Sequence, residues 1–386
     1  MKITKVDAFP IRIAPPLRDV NRQVDTLRDY GEYVMATDSW TSLYPKNFET
    51  CLVRVETDEG HVGWGESFSP VSSCATARIV EDLCRTVVLG HDPHDVGYLW
   101  YRSYSAMRER GHGSGFYVDA MSGVDQAIWD LLGHHHGLPV HKMIGGCYNK
   151  KIRVYAGIGG DDPAKMAATA AKLADLKYTA IKMHIRGENK QLIDIVSSVR
   201  SAIGDDIDIM VDVHTTKDVS AAITLGRAFE DYGVQWLEAP VAAEDADGHA
   251  KVAQALDMQV ASGEWLRTTY EWKQWLEKGS VDCAMPDIGR TGISEGMRIS
   301  QLCDVFNIPV SPHVGAGFIL AVAAGIQVSA ASPRFQILEH MHAYEKTKAV
   351  FATKYPKLVD GHFEVSDAPG LGVMVDEKRV KSLLIE

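Results

Sequence analysis

From residue 150 onward the sequence alternates short β-branched or apolar runs with helical stretches, and a charged residue closes run after run at a nearly constant interval. Asp212 closes Met210-Val211-Asp212, Glu238 closes Trp236-Leu237-Glu238, and Glu264 follows Ala261-Ser262-Gly263, 26 residues apart each time. Asp287, His313 and Glu339 continue the series at steps of 23, 26 and 26. One strand, one helix and two loops fill such a step. Alternation of this kind means βα units and a parallel sheet. Seven or eight units in about 190 residues predict a (β/α) barrel rather than an open sheet.

The first 150 residues read differently. Residues 3–11, 48–57 and 61–66 look like strands, the last two joined by the turn Asp58-Glu59-Gly60, which predicts an antiparallel meander. Between the first two lies a polar and aromatic stretch, 18–46, read as a loop of a length that is usually functional. Residues 75–145 are mostly helical, with a helix predicted over 120–133 that stops at Gly133. Strands followed by helices without alternation indicate an α+β domain. The turn-rich tail, 356–386, is expected to pack back on this first domain.

Composition narrows the function. A chain of 386 residues with 46% apolar and 24% charged residues can build a sizeable core. Its net charge of −11 and the lack of any Lys/Arg-rich block argue against a nucleic-acid partner. No apolar run approaches the roughly 18–20 residues needed to cross a bilayer. The first residues carry no signal-peptide stretch. The six scattered cysteines, without a CxxC pair, read as buried thiols in a reducing compartment. Cytoplasm is the expected location.

Barrel strands are buried on both faces, so an acidic residue at a strand end must face something. Taken alone, each would read as well as a helix N-cap or a loop ion pair. In one register of a barrel, Asp212, Glu238 and Glu264 converge at the C-terminal mouth, where active sites sit. Three close carboxylates need a cation, and oxygen ligands without His or Cys favour Mg2+. An Asp beside a His on neighbouring strands, Asp287 and His313, is a general acid/base pair. On the strand before Asp212, Lys182 and His184 lie two apart and share one face. A Lys facing a barrel interior is costly unless it meets an anion.

Together these residues resemble the mandelate racemase group of the enolase superfamily, over essentially the whole chain. Asp212, Glu238 within Leu237-Glu238-Ala239-Pro240, and Glu264 resemble its magnesium ligands. Pro286-Asp287 and Pro312-His313 resemble its His–Asp dyad, and Leu338-Glu339 its electrophilic Glu, which hydrogen-bonds the substrate carboxylate. Gly63-Trp64-Gly65-Glu66, Ala127-Ile128-Trp129-Asp130 and Pro369-Gly370-Leu371-Gly372 resemble signatures outside the barrel. The resemblance implies an α/β fold: a modified (β/α)7β barrel, residues 126–355, under an α+β capping domain, residues 1–125, completed by the tail 356–386. The long stretch would lie over the mouth, making Arg28, Tyr30, Tyr33 and Trp40 candidates for contact with the distal part of the substrate. It also implies a homo-oligomer, often an octamer.

One departure stands out. Many members carry Lys-x-Lys where this chain has Lys182-Met183-His184. Lys182 would contact the substrate carboxylate. His184 would serve either as a base or as a neutral hydrogen-bond donor, and His214 would stand near the metal without a catalytic role. The implied activity is Mg2+-dependent removal of the proton next to the carboxylate of a small-molecule substrate. Dehydration of an acid sugar, an aldonate or aldarate, to a 2-keto-3-deoxy acid is the favoured outcome. The alternatives are racemisation or epimerisation of a 2-hydroxy or amino acid, and a metal-stabilised barrel that only binds. A zinc hydrolase is disfavoured, because residues 153–159 hold no His-x-His.

Overall fold

The chain opens with β1 (Ile3–Ile13). β2 (Leu27–Tyr30), β3 (Tyr33–Ala36) and β4 (Leu43–Pro45) then form a small antiparallel sheet of their own, so the stretch read as a loop is partly a meander. β5 (Phe48–Thr57) and β6 (Val62–Ser67) complete the expected antiparallel sheet with β1, with β5 in the centre. The structure, a computed structural model, describes residues 1–13, 27–36, 42–315 and 317–385, without the side chains of 27–29 and 36.

Five helices follow. α1 (Ser73–Ile79) continues through a π-helical turn, Val80–Cys84, into α2 (Arg85–Val88), and then come α3 (Val96–Arg108), α4 (Phe116–His136) and α5 (Val140–Ile144). α4 lies directly on β6. A Cβ on Gly63 or on Gly65 would stand 2.1 Å from a carbonyl oxygen of α4, so only glycine lets strand and helix approach this closely. The helix does not stop at Gly133. It runs to Gly137, whose left-handed φ of 64° closes it, while Gly133 packs on Gly370 of the tail. The boundary expected at 125/126 therefore falls inside one continuous helix.

The barrel follows in strict alternation: β7 (Lys151–Gly159), α6 (Pro163–Asp175), β8 (Ala180–His184), α7 (Asn189–Ile203), β9 (Asp208–Asp212), α8 (Val219–Glu230) and β10 (Val234–Glu238). It continues with α9 (Ala246–Ala255), β11 (Gln259–Ser262), α10 (Thr269–Lys278), β12 (Cys283–Ala284), α11 (Ile288–Val305), α12 (Ile319–Ala331) and β13 (Leu338–His340). β7 to β12 pair in parallel in chain order. Val310 bridges Ala284 on one side and Phe335 on the other, and β13 pairs with β7, which closes the ring. This is the modified (β/α)7β barrel the sequence implied. Side-chain caps start many of the helices: Asp162 with Pro163 behind it on α6, Asp218 on α8, Asp245 on α9, and a Thr268–Glu271 capping box on α10. Each such cap is worth about 1 kcal/mol.

α12 is wholly buried and apolar but for Gln327 and Ser329, and its own N-cap, Phe318, offers no side-chain acceptor. The acceptor comes from β6. Glu66 takes the amide of Phe318 at 2.7 Å and that of Ala321 at 3.0 Å. A second such joint sits on α4, where Asp125 accepts the amides of Ile293 (2.7 Å) and Ser294 (2.9 Å) and restarts α11 after the kink at Gly292. Asp130 holds the amides of Trp64 and of Leu371 in the tail. The signature residues outside the barrel thus act as helix caps and stitches.

β14 (Ala352–Lys354) precedes the tail, which carries β15 (Leu358–Val359), β16 (His362–Glu364) and β17 (Met374–Val375). It touches both parts of the molecule: β16 pairs with the start of β7, and Leu384 bridges Ile11. All six cysteines are free thiols. Cys51, Cys84, Cys283 and Cys303 are buried as expected, but Cys74 and Cys147 are exposed. Among the described residues, no helix is long and apolar enough to cross a membrane.

Candidate active site

The barrel mouth opens into a cavity of about 520 Å3, roofed from the first part of the chain by Tyr44, Phe48 and Phe68. Asp212 and Glu238 are paired across β9 and β10 at the last residue of each strand. Glu238 pairs in turn with Ala261, so Glu264 stands three residues further, in the turn after β11 rather than in the shared register. The backbone around these ends is twisted out of ordinary conformations. His214 (φ 50°), Thr215 (φ 59°), Ala239 (φ 45°) and Gly263 (φ 108°) all have positive φ. Non-glycine residues accept that strain only where surrounding structure over-determines it, as at functional sites.

Each carboxylate faces a basic side chain. Glu238 accepts from Lys182 Nζ at 2.9 Å and from the Trp236 indole at 3.1 Å. Asp212 lies 3.1 Å from His184 Nδ1 and 3.3 Å from His214 Nδ1, and its other oxygen takes the His214 amide at 2.8 Å. The His184 and His214 rings stack at 5.4 Å. Glu264 lies 2.7 Å from His313 Nε2. His313 Nδ1 donates to Asp287 at 2.6 Å. Glu339 reaches both sides, 3.3 Å from Lys182 Nζ and 3.2 Å from His313 Nε2, and it also takes the amides of Val314 and Gly315. Lys182 and His184 share one face of β8, as their spacing predicted.

The electrostatics follow from burial opposed by pairing. Burial pushes Glu238 up to about 8, with Asp212, Glu264 and Glu339 adding to the rise and Lys182 opposing it. Burial also opposes ionisation of Asp212, Glu264 and Glu339, but their basic neighbours win, even though burial lowers His214 itself to about 4. His214 and His184 hold Asp212 low, His313 brings Glu264 down to about 2, and His313 with Lys182 holds Glu339 low. Lys182 and His313 are both lifted well above their usual values, because facing carboxylates outweigh desolvation. Asp212, Glu238 and Glu264 are hard oxygen donors of the kind a divalent cation selects, so their chemistry fits the metal the sequence implied, while Glu238 here is turned to Lys182 and Trp236 and Glu264 to His313. An imidazole nitrogen of His184 and of His214 also lies within 4.8 Å of an Asp212 oxygen.

Several lining residues gave no signal in the sequence. Arg267 forms a two-pronged pair with Asp119 (2.7 and 3.0 Å), and Arg290 stacks over Phe68 beside it. Lys348 donates to the Gly315 carbonyl at 2.7 Å, and its burial lowers it to about 8. Tyr44 lines the cavity in place of the tyrosines expected there. Tyr33 turns away to accept the Ser72 amide, and Tyr30 is exposed. Trp40 and the side chain of Arg28 lie outside the described residues.

A barrel of this form, with carboxylates, a His–Asp pair and a buried lysine at its mouth beneath an α+β cap, defines an enzyme of the enolase superfamily type. The chain belongs to the mandelate racemase/muconate lactonizing enzyme family: residues 39–145 match that family's N-terminal domain, and residues 165–379 match the enolase C-terminal domain-like family. It is 31% identical over 340 residues to a D-galactarolactone cycloisomerase of Agrobacterium fabrum, covering 84% of this chain and 88% of that protein. It is 31% identical over 372 residues to a D-xylonate dehydratase of Haloferax volcanii, covering 91% and 89%. A solved enolase superfamily member from Agrobacterium tumefaciens superposes with a TM-score of 0.93 at 25% identity, over 100% of this chain and 99% of that one.

Proposed function

We propose that this protein is a hydro-lyase that removes the proton next to the carboxylate of an acid sugar, an aldonate or aldarate. Expulsion of water from the β carbon would then leave a 2-keto-3-deoxy acid. The observation that carries the reading is Glu339, whose carboxylate stands within reach of both the buried lysine and the histidine of the dyad. That is the arrangement needed to grip a substrate carboxylate beside a group that moves protons.

Each residue then has a task. Asp287 accepts the Nδ1 proton of His313 and fixes the ring with Nε2 towards the cavity. Lys182 brings a positive charge to the substrate carboxylate. Glu339 is ionised in this arrangement, and it needs a proton to hydrogen-bond that carboxylate. His313 Nε2 is 3.2 Å away and can supply it. The transfer leaves His313 neutral and ready to take the α proton. A Mg2+ held by Asp212, Glu238 and Glu264 would supply the electrophilic charge that stabilises the enolate. Returned by His313, the proton assists departure of the β hydroxyl. The apolar roof of Tyr44, Phe48 and Phe68 limits water at the reacting carbons.

Epimerisation is the second reading. It rests on His184, a second imidazole lining the same cavity from β8. One experiment separates the two. The protein is incubated with Mg2+ and a panel of aldonates and aldarates in D2O, and 2-keto acid formation and the α-proton signal are followed together. A 2-keto product supports dehydration. Deuterium exchange or epimer formation without a keto product overturns it in favour of epimerisation.

A further inference from the structure

Away from the barrel mouth, histidines from three separate segments of the capping part meet at the surface. His61 enters β6, His94 precedes α3, and His135 and His136 end α4. Nε2 of His94 lies 3.1 Å from Nε2 of His136, and Nδ1 of His135 lies 3.0 Å from Nε2 of His61. One ring nitrogen each from His94, His135 and His136 falls within 4.8 Å of the others, and Glu59, His61 and His135 form an adjoining trio.

The ordinary explanation is that histidines favour the negative end of a helix dipole. It accounts for His135 and His136 on α4. It does not account for rings from two other segments turning nitrogen to nitrogen towards them. A shared proton could join either pair, but two ligands on a tetrahedral metal with bonds of 2.0–2.1 Å also stand roughly 3.3 Å apart. Asp92 weighs towards a metal. Its carboxylate lies 2.7 Å from Nδ1 of His94, a contact that in the neutral ring favours the proton on Nδ1 and leaves Nε2, the nitrogen facing His136, as the ligand atom. A carboxylate behind the outer nitrogen of a histidine is the arrangement that orients metal ligands.

We propose that His94, His135 and His136, with Asp92 behind His94 and His61 at the edge, bind a transition-metal ion of the zinc, copper or nickel class. Imidazole nitrogens select these ions over Mg2+, so the site does not draw on the ion proposed for the barrel mouth. Its role is that of a clasp. It joins the β5–β6 hairpin, the segment before α3 and the end of α4, and binding stabilises the folded chain by mass action.

The test uses tag-free, chelator-treated protein in saturating Mg2+, titrated with Zn2+ by calorimetry and with Co2+ by visible absorbance. A His184→Ala/His214→Ala variant serves as control for the imidazoles at the mouth. The expected result is one tight Zn2+ equivalent that survives in this control. It weakens by about a hundredfold or more in His94→Ala/His136→Ala, and by about 10–100-fold in Asp92→Asn. The unfolding midpoint should rise with Zn2+ in the wild type and not in His94→Ala/His136→Ala. If that double variant fails to fold, Asp92→Asn and His94→Gln carry the same comparison. The proposal is overturned if no Zn2+ binds in the control, or if binding is unchanged when the surface histidines are replaced.

Discussion

Asp287 holds His313 with one carboxylate oxygen at 2.6 Å and, with the other, caps α11 through the Arg290 amide at 3.1 Å. The contacts of this residue accommodate both readings open for a strand-end acid, a helix cap and a partner to a histidine. They separate on substitution. Asn is as good an N-cap as Asp, so Asp287→Asn should change stability by less than about 1 kcal/mol. Asn cannot stabilise the charged imidazole, so kcat should fall by about 10²–10⁴. Steady-state kinetics beside urea unfolding reads both. Equal activity in the variant would remove His313 from the proton-transfer role.

Lys182 is the buried cation shared by Glu238 and Glu339. Lys182→Met takes from Glu339 and Glu238 the buried cation both face, leaving Glu339 ionised in the interior, and the expected loss of stability is about 3–5 kcal/mol in metal-free protein. Added Mg2+ should recover part of that loss. Urea unfolding with and without Mg2+ checks the prediction, and an unchanged midpoint would contradict it.

Chelation should abolish turnover and Mg2+ should restore it. Burial pushes the Glu238 carboxyl up to about 8, so a cation held there would compete with a proton below that pH. Apparent Mg2+ affinity should therefore fall below that pH, by up to about tenfold per unit. Isothermal titration in buffers of different ionisation enthalpy would count the proton released.

Asp125 supplies a stability test away from the mouth. Burial raises its carboxyl to about 6, against the hydrogen bonds from Ser294 and Ile293. Its folded value lies above its unfolded one, so the native chain holds a proton that the unfolded chain has already released. The stabilisation is full below about pH 4 and is lost as pH rises through about 6, a swing of about 3 kcal/mol. Asp125→Asn, which cannot ionise, should flatten this part of the profile. Unfolding midpoints of both proteins across that window decide it.

Much of the barrel was legible because a βα unit consumes a nearly fixed length of chain, so strand-end charges recur at a readable interval. Lys182 and His184 were legible for the same kind of reason, the two-residue period of a strand. Glu264 shows the limit of the method. Interval counting placed it in register, whereas the pairing puts it in the turn beyond β11. Arg267 comes from a loop, Tyr44 from a three-residue strand and Lys348 from a single helical turn, none long enough to show a period, and only the closed fold brings them to the cavity. Gly133 misled because a glycine late in a helix can mean a stop or a close contact, and here it is the contact with Gly370. The stretch 18–46 misled in part because its strands are three or four residues long, too short for alternation to register.

The Glu66 joint bears on how such a protein can change over evolutionary time. Because the opening turn of α12 depends on a side chain donated from β6, the two parts are not interchangeable modules. Recombination that paired this barrel with a cap lacking an acid at that position would leave two amides facing an apolar interior unanswered. Cap and barrel must therefore be inherited as one unit. New substrate preferences would arise by drift in the residues roofing the mouth, not by shuffling whole pieces.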